Sequence, residues 1–260
     1  KSLREVDFMK LGAQLYTLHK QCETPADLLN SMKRVKEIGY DVAQASGICA
    51  IDGDLFRSYI DEVGLPMTCT HRSFDEIVNR TEESIKWHKT IGSPIVGIGS
   101  MPLEFHGSLE GLKKFKEIMA EPVKKILDAG LRFTYHNHAF EFEIWDGVLP
   151  YDYMIEEMPD FDFIHDVYWS TYAGACPKKY IKLLAEAGRM TDVHFKDMKS
   201  DPKGPICACG DGVIDFAPLA DLCHSLGIKN IHVEQDNAYT FDDPFEQMER
   251  SFKHLRPLIK

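Results

Sequence analysis

The chain has 260 residues, 44% hydrophobic and 27% charged, with a net charge of −11. This is the composition of a globular protein with ample residues for a core; no apolar run approaches the roughly 20 residues of a membrane span, and the negative charge, offset by no basic patch, repels nucleic-acid phosphates. The seven cysteines are odd in number and several sit in apolar stretches, as suits reduced thiols of a cytoplasmic protein. No signal peptide is visible, and with Lys1 rather than Met at the start a removed leader stays open.

Short, apolar, β-branched-rich segments alternate along the chain with longer segments of helical period. Leu11 to Tyr16 reads as the first strand. A helix follows with Thr24 as N-cap, Pro25 in its first turn, an apolar stripe of Leu28, Leu29, Met32, Val35 and Ile38, and Gly39 as its stop. Asp41 to Ala45 is the second strand; a helix ending near Gly64 leads to the third, Met67 to Thr70. One helix is expected from about Asp75 to Ile91, before Gly92, and Ile95 to Ile98 is the fourth strand. A long helix from about Leu109 to Gly130 contains Pro122, which marks a kink or break. The remaining strands are Arg132 to His136, Phe163 to Val167, Thr191 to Phe195 and Asn230 to Glu234, and the last helix begins near Asp243-Pro244.

Eight strand–helix units in this length predict a (β/α)8 TIM barrel, in the α/β class, as a single domain over residues 1–260. The rival, a doubly wound open sheet, calls for a Gly-rich phosphate loop after the first strand, and neither G-x-G-x-x-G nor a Walker motif is there. Cys207-Ala208-Cys209 is too tightly spaced for a zinc knuckle and has no second pair, so a disordered loop with incidental cysteines is expected.

In such barrels the chemistry sits at the C-terminal ends of the strands. The third strand delivers His71 and Arg72 there. The fifth delivers the densest run, Tyr135-His136-Asn137-His138-Ala139-Phe140-Glu141, two histidines and an acid that are costly to bury unpaired. The sixth delivers Asp166, with Trp169 beyond it; the seventh His194, Lys196 and Asp197; the eighth Glu234, Gln235 and Asp236. Taken singly, Asp166 could cap the next segment, His194 could be a satisfied core histidine, and Glu234 could pair with a lysine. Four strands ending in turn in Glu/His, Asp, His and Glu suit Mn²⁺, Mg²⁺, Co²⁺ or Zn²⁺, with the oxygens favouring the first two. Such a metal polarises a carbonyl and acidifies the neighbouring C–H, the first step of sugar isomerisation, epimerisation and β-elimination.

The chain resembles the sugar phosphate isomerase/epimerase family of xylose isomerase-like TIM barrels, relatives of the inosose dehydratases and of endonuclease IV. The resemblance spans nearly the whole chain. It is carried by the runs Leu11-Gly12-Ala13-Gln14-Leu15-Tyr16-Thr17, Tyr135 to Phe142, Asp166-Val167-Tyr168-Trp169, His194-Phe195-Lys196-Asp197, and Gly210 to Phe216. It implies one divalent metal, Mn²⁺ first, held by Glu141, Asp166, His194 and Glu234. Glu143, His136 or His138 is the alternative at the fifth strand, since relatives often carry that glutamate deeper, where this chain has Thr134 or Tyr135. Acid–base work then falls to Glu141, His138, His136 or Glu234, and substrate contacts to His71, Trp169 and Lys196.

The function expected is a metal-dependent isomerase or epimerase of a sugar or keto-sugar, phosphorylated or not. The alternatives are a lyase or dehydratase of keto-sugars or keto-glycosides, which the His-Asn-His run hints at, and a non-catalytic sugar-binding barrel. A nuclease is disfavoured by the charge and the sparse ligand set. The partner expected is a small sugar rather than nucleic acid or membrane, and both a homo-oligomer and a partner subunit are compatible with the sequence.

Overall fold

The computed structural model describes residues 9–200 and 203–259; the remaining residues of the expected 1–260 unit lie outside the described ones. Eight parallel strands form the barrel: β1 (Lys10–Gln14), β2 (Val42–Ala45), β3 (Met67–Thr70), β4 (Ile95–Ile98), β5 (Arg132–His136), β6 (Asp162–Asp166), β7 (Met190–Phe195) and β10 (Asn230–Val233). A two-stranded antiparallel pair, β8 (Asp197–Met198) with β9 (Ile206–Cys207), stands between the last two. The hydrogen-bonded order is β3-β2-β1-β10-β7-β6-β5-β4. Closure comes just beyond the ends of the order, where the Arg72 amide donates to the Gly97 carbonyl at 2.8 Å and Arg72 bridges Ile98. The architecture is a (β/α)8 TIM barrel.

Among the described residues ten α-helices occupy the connections: α1 (Pro25–Ile38), α2 (Gly53–Val63), α3 (Phe74–Asn79), α4 (Thr81–Ile91), α5 (Leu109–Asp128), α6 (Pro150–Glu157), α7 (Val167–Tyr172), α8 (Pro177–Glu186), α9 (Ala217–Ser225) and α10 (Pro244–Leu255). Thr24 caps α1 through its hydroxyl, which accepts from the Asp27 amide, and Gly39 ends it at φ +119°, a conformation open to glycine without a Cβ penalty. The strands are buried on both faces, as parallel strands wrapped by helices are. One apolar cluster gathers β1, β2 and β10 against α1, α2, α9 and α10; a second gathers β4, β5 and β6 against α5, α6 and α8. Inside the barrel the filling includes polar groups. His232 lies 3.0 Å from the Thr68 hydroxyl and 3.5 Å from an Asp192 oxygen. Gly12 makes room for its ring, since a Cβ there would stand 2.4 Å from His232 Cδ2.

Four local expectations are corrected. Leu15 and Tyr16 leave β1 for a 3-10 turn over Leu15–Gln21, which the Gln14 side chain starts by accepting from the Tyr16 amide. The helix expected from Asp75 to Ile91 is two, broken at Arg80; Ser73 and Glu76 form a capping box for the first, and the Thr81 hydroxyl turns back to the Ile77 carbonyl. The long helix α5 runs through Pro122 without a break: one missing hydrogen bond is outweighed by the packing of Leu112, Phe115, Met119, Val123 and Ile126. The Cys207–Cys209 segment is ordered and buried rather than a disordered loop. Asp197 gathers it by accepting from the amides of Met198, Gly210, Gly212 and Ile214 at 2.8 to 3.1 Å.

Candidate metal centre

At the C-terminal mouth of the barrel four side chains bring one ligand-type atom each within 4.8 Å of one another: His136 at the end of β5, Asp166 at the end of β6, His194 in β7 and Glu234 just past β10. All four are buried. Lys196, one residue past β7 and 1% exposed, reaches into the same group. Its ammonium lies 2.8 Å from Glu234, 3.2 Å from Asp166 and 3.1 Å from Asp236.

The tautomers follow from the partners. His136 Nδ1 is 3.1 Å from the Gly99 carbonyl, which can only accept, so the hydrogen sits on Nδ1 and Nε2 carries a lone pair. That Nε2 is 3.3 Å from Asp166 Oδ2 and 3.8 Å from Glu234 Oε2. His194 Nε2 is 2.6 Å from Gln44 Oε1 and donates to it, which leaves Nδ1 facing Glu234 Oε2 at 3.1 Å. Imidazole lone pairs pointed at carboxylate oxygens repel unless a proton or a metal cation stands between them. The charges agree: with both imidazoles neutral, buried Asp166 and Glu234 against Lys196 leave one negative charge uncompensated, and the partly exposed Asp236 beside Lys196 adds a second at the rim, a cost that a divalent cation removes. Two imidazoles and two carboxylates, each imidazole oriented by a second hydrogen bond, are a donor set that fits Mn²⁺, Zn²⁺ or Co²⁺.

The electrostatics follow from burial and these neighbours. Burial alone would raise the Asp166 carboxyl, but the Lys196 ammonium and the His136 hydrogen bond hold it at about 2. Glu234 is kept well below the ordinary carboxylate range against burial by Lys196 and His194. Asp236 is pushed up to about 6 by burial, with Lys196 opposing. His136 is more basic than usual: burial acts against its charge, and Asp166 and Glu234 more than offset that. Burial holds His71 and His138 well below the ordinary imidazole value.

The other sequence candidates fall into place around this group. Glu141, expected as a ligand, is fully buried but outside it: one oxygen accepts from the Tyr135 hydroxyl at 2.6 Å and the other from the His138 amide at 2.8 Å. His136 stands where a strand-five glutamate was expected. The chain turns into a 3-10 turn at Phe140–Phe142 rather than staying extended, so Glu143 does not share a face with Glu141 and is exposed. Asp166 does cap α7, its Oδ1 accepting from the Trp169 amide at 3.1 Å, while Oδ2 faces the cluster. His165 is a core histidine, bonded to the Tyr151 hydroxyl at 3.1 Å.

An open cleft of about 410 Å³ lies over the group, lined by Tyr16, His71, Arg72, His136, His138, Lys196, Glu234 and Asp236 among others. At or beside it, His71 Nε2, His138 Nδ1 and Trp169 Nε1 are buried atoms without hydrogen-bond partners. The Trp169 ring packs 5.3 Å from the His138 ring, with the Lys196 ammonium 5.2 Å from its centroid. Sequence reading missed Gln44 and Tyr16. Gln44 is the buried polar residue in an otherwise apolar β2, which is its one visible signal; Tyr16 was hidden by its assignment to a strand.

No family model matches the chain. A curated inosose dehydratase from Glaesserella parasuis serovar 5 is 23% identical over 202 residues, 64% of this chain and 65% of that protein, so the match spans just under two thirds of the relative. Among solved structures, a sugar phosphate isomerase/epimerase from Parabacteroides distasonis ATCC 8503 superposes with a TM-score of 0.80 at 19% identity, covering 100% of this chain and 98% of that one. An IOLI protein with a bound zinc atom superposes at 0.71 with 14% identity, covering 96% and 98%. The structural neighbours are thus of the sugar phosphate isomerase/epimerase, xylose isomerase-like kind that the sequence resembles, and at these identities what they share with the chain is the fold.

Proposed function

We propose that this protein is a divalent-metal-dependent isomerase or epimerase of a sugar or keto-sugar, which moves a proton on the carbon beside a carbonyl. The observation that carries the reading is the buried His136–Asp166–His194–Glu234 group, whose two carboxylates share the single Lys196 ammonium, at the mouth of the barrel beneath an open cleft. The zinc of the IOLI structure and the names of the neighbours support it; Mn²⁺ remains the first choice of metal, with Zn²⁺ and Co²⁺ next. Once bound there, the metal would polarise the substrate carbonyl and lower the pKa of the adjacent C–H.

The chain supplies the rest. His138 offers an unpartnered Nδ1 beside the cleft and is the proposed base, which returns the proton once it has taken it, while His71, kept neutral by burial, offers its free Nε2 to a substrate hydroxyl. Lys196 donates to the substrate oxygen on which charge develops. The Trp169 ring backs His138 and closes that side of the site. Glu141 acts through position: its two hydrogen bonds fix the turn that carries His136 and His138. The free thiols suit a reducing setting such as the cytoplasm.

The test is metal content together with solvent-deuterium exchange into a panel of ketoses and inososes, followed by proton NMR. Metal-dependent exchange at the carbon next to the carbonyl is expected, and Asp166→Ala and Glu234→Ala should each lose both metal and exchange. Retention of metal and exchange in both variants would sink the assignment.

A further inference from the structure

The Lys196 ammonium lies on the same carboxylate oxygens that the candidate ligand set offers to a metal. Its Nζ is 3.2 Å from Asp166 Oδ2 and 2.8 Å from Glu234 Oε2. His136 Nε2 faces the first of these oxygens at 3.3 Å, and His194 Nδ1 faces the second at 3.1 Å. A dication held by these four side chains would therefore stand against the ammonium, and like charges repel strongly where water is excluded. Lys196 is 1% exposed, so its charge has no solvent at hand to retreat into. The opposite problem arises in the empty site. Without the ammonium, two buried carboxylates would face each other uncompensated, which is costly.

Asp236 offers the ammonium a second seat. Both of its oxygens face Nζ, Oδ1 at 3.1 Å and Oδ2 at 3.2 Å. Its side chain is 28% exposed at the rim of the cleft, and it is not one of the four clustered ligand residues. The faces of Trp169 and Tyr168, with ring centroids 5.2 and 6.0 Å from Nζ, flank the ammonium and favour a cation there. We propose that Lys196 and Asp236 form a latch on the metal group: in the empty site the ammonium holds Asp166 and Glu234 together, and metal entry shifts it onto Asp236 alone. Asp236 is then a positioning residue, acting on metal loading through Lys196. Both residues line the cleft, so the shifted ammonium stays where it can donate to a substrate oxygen. The latch rests on the metal reading above and adds how loading of that site is controlled.

The test is a double-mutant cycle on Mn²⁺ affinity, read by competition with a chelating dye. Lys196→Met removes the competing cation and should tighten binding by about tenfold. Asp236→Asn leaves the ammonium no seat but Asp166 and Glu234, and should weaken binding by about tenfold. In the Lys196→Met background the same Asp236→Asn change should alter affinity by no more than about threefold, because no ammonium remains to be seated. Asp236→Glu, which keeps the carboxylate, should restore most of the wild-type affinity. Circular dichroism checks that each variant is folded; Lys196→Gln, neutral but able to donate to a carboxylate, takes the place of Lys196→Met in the cycle if the latter is not. Equal weakening by Asp236→Asn in both backgrounds overturns the latch and leaves the metal reading standing, since Asp236 would then act by its charge alone. Weaker binding in Lys196→Met overturns it as well. Failure of the wild type to bind Mn²⁺, Zn²⁺ or Co²⁺ contradicts the metal reading itself, and the latch falls with it.

Discussion

Asp166 carries two roles on one carboxyl group. Its Oδ1 caps α7 and its Oδ2 enters the candidate metal group, so the helix start fixes that oxygen without any added element. Gln44 does the corresponding work for His194: its amide oxygen takes the Nε2 hydrogen and leaves Nδ1 facing the candidate metal position. Replacing Gln44 by Leu should keep the fold and lower metal affinity by about 10- to 100-fold, the usual cost of losing such a partner, as read by competition with a chelating dye. An unchanged affinity would remove Gln44 from the site. At this scale the sequence was legible for the meeting of Asp166, His194 and Glu234, which follows from where β6, β7 and β10 end. It was not legible for which strand-five side chain, His136 or Glu141, stands with them. That choice depends on the chain turning after His138, and the turn is held by tertiary bonds from Tyr135 and to the His138 amide.

At the scale of elements, Asp197 ties the segment from β8 to Ile214 to the end of β7 with four amide donors on one buried carboxylate. Asp197→Ala leaves those amides without their acceptor and should cost on the order of 3–5 kcal/mol in denaturant unfolding. A loss within experimental error would mean the segment is held by its apolar packing alone. On α4, His88 is buried between the Ser84 carbonyl and the Thr70 hydroxyl, each 2.7 Å away, and burial depresses its pKa to about 4. The folded state thus resists a proton that the unfolded chain accepts below about 6.5. Its contribution is intact above that pH and is lost as pH falls toward 4, on the order of 3 kcal/mol in all. His88→Gln, neutral throughout, should lose less stability than wild type between pH 7 and pH 4.5 in thermal melts; parallel curves would refute the assignment. The strands were readable because runs such as Ile95-Val96-Gly97-Ile98 are apolar and short. The 3-10 turn after β1 and the break at Arg80 were not, because each is decided by a side chain bonding to nearby backbone.

Over the whole molecule, parallel strands joined by helices close into a barrel that collects its strand ends at one mouth, and so residues far apart in sequence become neighbours. His136 and Glu234 are the outer members of the group, nearly a hundred positions apart. The alternation of strands and helices made that architecture legible; a second cavity beside the cleft, which depends on how the segment after β2 lies against α3 and α4, was not. None of the helices among the described residues is long and apolar enough to cross a membrane. The claim on which the rest depends is that the strand-five ligand is His136 and not Glu141. Metal stoichiometry of wild type, His136→Ala and Glu141→Gln, measured after equilibration with Mn²⁺ and gel filtration, tests it directly. The account predicts one ion per chain in wild type and in Glu141→Gln, and little or none in His136→Ala. An ion kept in His136→Ala and lost in Glu141→Gln would contradict it.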